Sequence, residues 1–183
     1  MKKRGGFLKI FLIAIIIVLA LIIAALLLYI FTIKGKDNSG FYADLEKSGQ
    51  LTNPILNMDE EKAVQQFNES FVYYLLYKIK AYNLHNPPVS SDTPKIELVI
   101  EQEVYSAEII KGKIIVEKGA KQDKDILITT NKREAIKMLR NSSYIFESFS
   151  SGASNIETTA KESTLFLKGY LQLYEDTTGS KLI

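Results

Sequence analysis

From Ile10 to Ile33 the chain runs for 24 consecutive residues without a charge, nearly all of them Ile, Leu, Ala, Val or Phe. A helix rising ~1.5 Å per residue covers roughly 36 Å over that length, slightly more than the ~30 Å hydrocarbon core of a bilayer. A helix that is apolar on every side has no stripe for water, and a small domain has no room to surround it. The run therefore predicts one membrane-spanning helix over residues 10–33. Its flanks agree. Lys2, Lys3, Arg4 and Lys9 precede it, Tyr29 and Phe31 stand near its far end, and Lys34 and Lys36 close it.

Two other readings use the same residues. A cleaved secretory signal peptide has an apolar core of about 7–15 residues and a small-residue cut site. Here the run is longer and its exit, Leu28-Tyr29-Ile30-Phe31-Thr32-Ile33, is bulky. Arg4-Gly5-Gly6-Phe7 is similar to the cut site of pilin-like leaders, but Phe11 stands where those carry a Glu. An uncleaved single-pass anchor is the expectation. Four basic residues lie before the run, while Lys34, Lys36 and Lys47 after it are accompanied by Asp37, Asp44 and Glu46. That asymmetry puts the N-terminus in the cytoplasm and the C-terminal part outside.

Residues 34–183 number 150, enough for one domain with its own core. The net charge of +2 overstates how basic that part is. Once the four basic residues ahead of the run are set aside, 19 remain against 21 acidic ones. Such a balance gives no footprint for nucleic acid. There is no cysteine, hence no disulfide, no thiolate nucleophile and no Cys-ligated zinc. Asn68-Glu69-Ser70 and Asn141-Ser142-Ser143 match the glycosylation sequon, which matters only outside the cell.

The organisation reads as a basic segment 1–9, the span 10–33, a linker 34–58 and a domain 59–183. Gly35, Gly40, Gly49, Asn53 and Pro54 punctuate the linker, although Tyr42, Leu51, Ile55 and Leu56 offer it a way to pack. A helix is expected from Asp59 to Tyr82, capped by Asn57, with Val64, Phe67, Phe71, Tyr74, Leu75, Ile79 and Tyr82 on one broad face. Ile96, Leu98, Ile100 and Val104 alternate with glutamates in a strand reaching Ile110. Lys111-Gly112-Lys113 turns it back on Ile114-Ile115-Val116, and residues 125–129 form a third strand. Asn131 with Glu134 opens a helix, and a short second helix follows over 143–149. Residues 156–161 and 164–167 read as strands, and 169–176 as a terminal helix or turn. The order predicts an α+β fold: a single N-terminal transmembrane helix, then a mainly antiparallel sheet covered on one face by helices.

Chemistry-bearing patterns are scarce. His85, the only histidine, sits beside Asn86-Pro87-Pro88 in a turn. No phosphate loop, nucleophile elbow or zinc-binding His pair is present. Glu97, Glu101 and Glu103 are spaced to share one strand face, the usual pattern of a wet face rather than of acid–base work. Lys111, Lys113, Lys118, Lys121 and Lys124 gather at two turns, diluted by Glu108, Glu117, Asp123 and Asp125, as on a solvated rim. No catalytic residue, cofactor or metal is expected.

The stretch from Tyr105 to the end resembles the sterol-carrier-protein family of lipid-binding domains. The residues that carry the likeness are Tyr105-Ser106-Ala107-Glu108-Ile109-Ile110-Lys111-Gly112-Lys113-Ile114-Ile115-Val116, then Asp125-Ile126-Leu127-Ile128-Thr129-Thr130, and finally Ser151-Gly152 with Leu165-Phe166-Leu167-Lys168-Gly169-Tyr170. With the aromatic helix from Asp59 it covers about 120 residues. Here it follows a membrane anchor, and Ile156-Glu157-Thr158-Thr159-Ala160 intervenes before the last part. The resemblance implies an apolar tunnel walled by Phe67, Phe71, Leu75, Ile136, Leu139, Phe146, Phe149, Phe166 and Tyr170. Binding there would come from burial, at roughly 0.8 kcal/mol per CH₂. The expectation is a membrane-anchored, non-catalytic module for a lipid or other apolar ligand, held to the bilayer through residues 10–33. The alternative is an extracytoplasmic interaction or assembly subunit, of an envelope or pilus-like complex, whose core is closed.

Overall fold

The computed structural model describes the backbone of residues 4–33, 38–88 and 90–182, with side chains for 11–26, 38–88 and 90–182. The chain divides into two units, Met1–Lys34 and Gly35–Ile183.

The first unit is α1, a helix from Arg4 to Ile33. Its described side chains, residues 11–26, are all apolar and all exposed. Among the described residues no helix is long and apolar enough to cross a membrane. The stretch with described side chains falls short of the ~20 residues a bilayer needs. The rest of the expected span, Ile10 and residues 27–33, lies with its side chains outside the described residues, as do the flanking lysines.

The second unit is α+β. A five-stranded sheet, β1 (Lys95–Ile100), β2 (Glu103–Ile110), β3 (Lys113–Lys118), β4 (Ile126–Thr130) and β5 (Asn155–Thr158), has the order β3-β2-β1-β4-β5. The β1–β2, β2–β3 and β4–β5 pairs are antiparallel, and β1–β4 is parallel. The sheet is thus mixed and mainly antiparallel. The expected continuous strand to Ile110 is in fact a hairpin, because the chain reverses at Glu101, which takes φ 60°. Glu101 consequently leaves the strand. Glu97 faces Ser106 in the register and Glu103 faces Ile100, so the three glutamates do not share a face.

The register sorts the sheet into two faces. Ile96, Leu98, Ile100, Tyr105, Ala107, Ile109, Ile114, Ile126, Ile128 and Ile156 lie on one face and are buried. The other carries Glu97, Val99, Ser106, Glu108, Ile115 and Glu117. The β3–β4 connection runs over this second face. Lys121 reaches Glu108 at 3.4 Å and Glu117 at 3.3 Å, and Lys124 pairs with Glu97.

Helices cover the first face. α2 (Ser39–Lys47) lies in the expected linker, which from Asn38 onward belongs to the domain: Tyr42, Leu51 and Ile55 are buried, while Leu56 stays exposed. The Tyr42 hydroxyl donates to the Gly112 carbonyl at 2.9 Å and accepts from the Ile114 N–H at 3.2 Å. It thereby takes the place of a neighbouring strand at the start of β3. The expected Asp59–Tyr82 helix is two, α3 (Glu60–Gln65) and α4 (Glu69–Lys78). Asp59 caps α3, accepting from Lys62 N–H at 2.7 Å, and Asn68 caps α4, accepting from Ser70 N–H at 2.9 Å. The second cap lets the chain turn, so Phe67 packs on Phe71 and on Tyr105.

α5 (Lys132–Arg140) begins at Asn131, whose side chain accepts from Glu134 N–H at 2.9 Å, as the sequence predicts. α6 (Tyr144–Ser150) follows, then β5. The expected strand at 164–167 is instead helix α7 (Glu162–Lys168), which buries Leu165 and Lys168, three apart on one helical face. Gly169 at φ 86° separates it from α8 (Tyr170–Thr178). α4 packs on β3 and α5, α5 on α6, and α8 on α6 and α7.

Candidate functional site

Seven of the nine residues expected around a tunnel, Phe67, Phe71, Leu75, Ile136, Leu139, Phe149 and Tyr170, gather in one hydrophobic core under the helices. Phe146 and Phe166 do not join them: each is 53% exposed. Both sit on helices of seven residues whose inward faces are already taken, by Ile145 and Phe149 in α6 and by Leu165 and Lys168 in α7. They line two separate surface grooves instead.

The groove beside Phe146 is the better built. It has a volume of about 220 Å³ and lies between the end of α4, the start of α6 and the end of α8. Ile79 and Ile145, both core residues, form its floor, and Thr177 is fully committed to the Leu173 carbonyl at 2.6 Å. The Phe146 ring rests on Gly179, which closes α8 at φ 69°; a Cβ there would meet the ring at 2.2 Å. Glycine is therefore required twice at this position, by the left-handed backbone and by the ring. Lys80 and Asp176 face each other across the rim at 3.4 Å, and Lys78 leans over the Tyr74 and Tyr77 rings. The result is a groove in which Ile79, Ile145 and Phe146 supply the apolar contact and Lys78, Lys80, Ser142, Ser143, Asp176 and Thr177 the polar remainder.

The groove beside Phe166 is wider, about 500 Å³, and is lined by Lys161, Glu162, Ser163 and Leu171. A third, of about 370 Å³, lies along residues 52–54 and 56–58 with Lys62.

Three polar networks lie outside these grooves. Lys168, 1% exposed, donates to both Asp125 oxygens at 3.0 Å, to Asp92 at 2.8 Å and to the Thr93 carbonyl at 2.9 Å. Tyr170 donates to Asp125 at 3.0 Å, and burial followed by the Asp125 charge drives its phenol well above the usual range. Asp125 also accepts from Lys95 N–H, so it ties α7, α8 and β1 to the start of β4. A second chain links Glu134 to Tyr144 and Ser148, then Ser148 to Ser154 and Ser154 to Thr130. Burial alone would raise the Glu134 carboxyl, but hydrogen bonds from Lys137, Tyr144 and Ser148 outweigh it and hold it below the usual range. In the third, Glu103 accepts from Lys118, Lys132 and Tyr105, which together pull its carboxyl down to about 2. Each network spends its donors on its own acceptors, the pattern of structural cross-ties.

His85 lies in the loop after a short 3₁₀ turn, Ala81–Asn83. Its ring stands against Gly169, with Nδ1 3.3 Å from the Asn83 carbonyl. Among the described residues no group of His, Cys, Asp or Glu is placed to hold a metal ion.

Sequence signals for the groove were thin. Ile79 was legible as core, whereas the pairing of Phe146 with Gly179 joins positions whose closeness depends on α6 packing against α8.

No protein-family model matches the chain, and no curated protein matches it. Among solved structures, sterol carrier protein 2 from Yarrowia lipolytica in its apo form aligns at 13% identity over 66% of this chain and 88% of its own, with a TM-score of 0.31. Sterol carrier protein 2 like 2 from Aedes aegypti aligns at 12% identity over 49% and 86%, also at 0.31. The stereoselective inverting sec-alkylsulfatase from a Pseudomonas species aligns at 9% identity and a TM-score of 0.32, over 50% of this chain but only 13% of the enzyme. The similarity to sterol carrier protein 2 is thus distant.

Proposed function

We propose that this chain is a single-pass, membrane-anchored binding module that accepts the apolar end of a lipid or similar amphiphile in the groove between α4, α6 and α8, without catalysis. The anchor is the uncharged run 10–33 within α1, with the N-terminus cytoplasmic and the domain on the other side. The observation that carries the binding reading is the groove itself. Its floor of Ile79 and Ile145 and its wall of Phe146 supply apolar contact, and Lys78, Lys80 and Asp176 at the rim match a polar headgroup. At about 220 Å³ it holds a chain end rather than a whole lipid, since sites for complete small ligands run from ~300 Å³ upward. Anchoring raises the local concentration of such a ligand, so modest affinity suffices.

One observation favours the second reading, a closed-core interaction or assembly subunit. Seven of the nine tunnel candidates are packed in the core. Photolabelling separates the two. The full chain is reconstituted in nanodiscs holding a phospholipid with a photoreactive acyl tail. Binding in the groove labels peptides that contain Ile79 and Phe146; Phe146→Asp removes that labelling, and Phe166→Asp leaves it. Labelling confined to residues 10–33 defeats the ligand reading and leaves the interaction module.

A further inference from the structure

Lys168 and Asp125 are 1% and 4% exposed, and no other ion pair among the described residues has both partners so deeply buried. The Lys168 Nζ stands 3.0 Å from each Asp125 oxygen, squarely before the carboxyl group. The two oxygens are not equivalent. Oδ2 also accepts from the Tyr170 hydroxyl at 3.0 Å and from the Lys95 N–H at 2.8 Å, whereas among the described residues Oδ1 accepts from Lys168 alone. A second carboxylate, Asp92, places its Oδ2 2.8 Å from the same Nζ, and its side chain is half-exposed. These are the parts that an amide bond between the two side chains requires. An amine attacks a carboxyl carbon when a base within hydrogen-bond reach takes its proton. Donors already in place must hold the charge that gathers on the carboxyl oxygen. Asp92 is such a base, and Tyr170 with the Lys95 N–H are such donors. Condensation releases a water, so it is favoured where water is excluded and the two groups are held together.

We propose that Lys168 and Asp125 form an intramolecular isopeptide bond. Asp92 takes one proton from the Lys168 ammonium and delivers it to Asp125 Oδ1. The freed amine lone pair attacks Asp125 Cγ, and the charge of the tetrahedral adduct falls on Oδ2, between Tyr170 and the Lys95 N–H. A second nitrogen proton moves through Asp92 to Oδ1. Oδ1 then leaves as water, one proton stays on the amide nitrogen, and Asp92 returns to its carboxylate. One ammonium and one carboxylate become one neutral amide and one water, with no oxidant or cofactor. The bond ties α7 to the start of β4 across 43 residues. A covalent link over such a loop restricts the unfolded chain, as a disulfide does, and the chain has no cysteine with which to make one. The bond depends neither on the groove nor on the anchor.

Intact mass spectrometry of the full chain, purified in detergent from expressing cells, reads the bond. The expected mass is that of the sequence less one water. Trypsin should then release residues 125–132 joined through Lys168 to residues 162–181, because an acylated Lys168 is no longer cut. Lys168→Arg keeps a cation before Asp125 but offers no amine, so it should show the full mass of its own sequence. Asp92→Asn, a change at a half-exposed side chain, should leave most of the chain unlinked, since an amide does not carry the proton. A wild-type chain at its full sequence mass overturns the bond. So does a water loss confined to one unbranched peptide, the mark of an aspartyl imide. Linkage of Asp92→Asn to the wild-type extent overturns the route through Asp92.

Discussion

α1 and α4 are both rich in large apolar residues, and they meet opposite fates. Every described side chain of α1, residues 11–26, is exposed. In α4, Phe71, Val72, Tyr74, Leu75 and Leu76 are buried against β3 and α5, while Glu69 and Lys78 mark its ends. The difference lies in pattern rather than in content. α4 has a stripe that a sheet and a helix can cover, and its tyrosines keep their hydroxyls at the rim, where Glu46 accepts from Tyr74 and Tyr77. α1 has no stripe, because no polar residue interrupts residues 10–31. One helix is built for a protein interior; the other offers no polar stripe by which one side could face water.

The strongest way to break that contrast is to make the same kind of truncation in each. Phe71→Ala should lower domain stability by about 3–5 kcal/mol, as for large aromatic residues in closed cores. Ile17→Ala should leave the domain's denaturant midpoint unchanged. Tyrosine fluorescence of the full chain in nanodiscs reads both, and a small effect of Phe71→Ala would mean that α4 borders unfilled space.

Charge supplies the next contrast. The domain buries Lys168 with Asp125, whereas the apolar run of α1 holds no charge. Lys168→Met should cost several kcal/mol by stranding Asp125, on the order of 3–5. Adding Asp125→Leu should recover part of the loss. If the single change is tolerated, the pair is not what joins α7 to β4.

A smaller effect is expected in acid. Glu103 is lowered from 4.5 to about 2 by hydrogen bonds from Lys118, Lys132 and Tyr105. A depressed carboxylate contributes stability that is complete above the unfolded value and fades as pH falls through the folded one. Stability should therefore decline between pH 4.5 and about 2, and Glu103→Gln should flatten that limb of the unfolding curve. The smallest effect belongs to the groove rim. Lys80→Gln removes an exposed pair worth under about 1 kcal/mol and should leave the midpoint nearly unmoved while changing photolabelling of the groove.

What the sequence made legible was what is local. Lys111-Gly112 supplied the hairpin turn, and Asn131 with Glu134 marked the start of α5. What escaped depended on distant partners or on uncommon local choices. Glu101 turns the chain at φ 60° with no glycine to announce it. Asn68 cuts an apparently continuous helical face by capping α4. The run at 164–167 is too short for periodicity to tell a strand from a helix, and Lys168, whose partner Asp125 lies 43 residues away, reads as an ordinary surface lysine. Phe146 and Phe166 were expected to wall a tunnel because the resemblance to sterol carriers implied one, yet the inward positions of their helices are occupied by other residues.

The central claim, that α1 belongs in hydrocarbon while the domain stays outside it, is tested most directly by washing membranes of expressing cells with alkaline carbonate. The account predicts that the full-length chain stays in the membrane pellet, and that protease applied to unbroken cells removes the domain and leaves a short fragment containing residues 10–33. Recovery of the intact, full-length chain in the carbonate supernatant would contradict it.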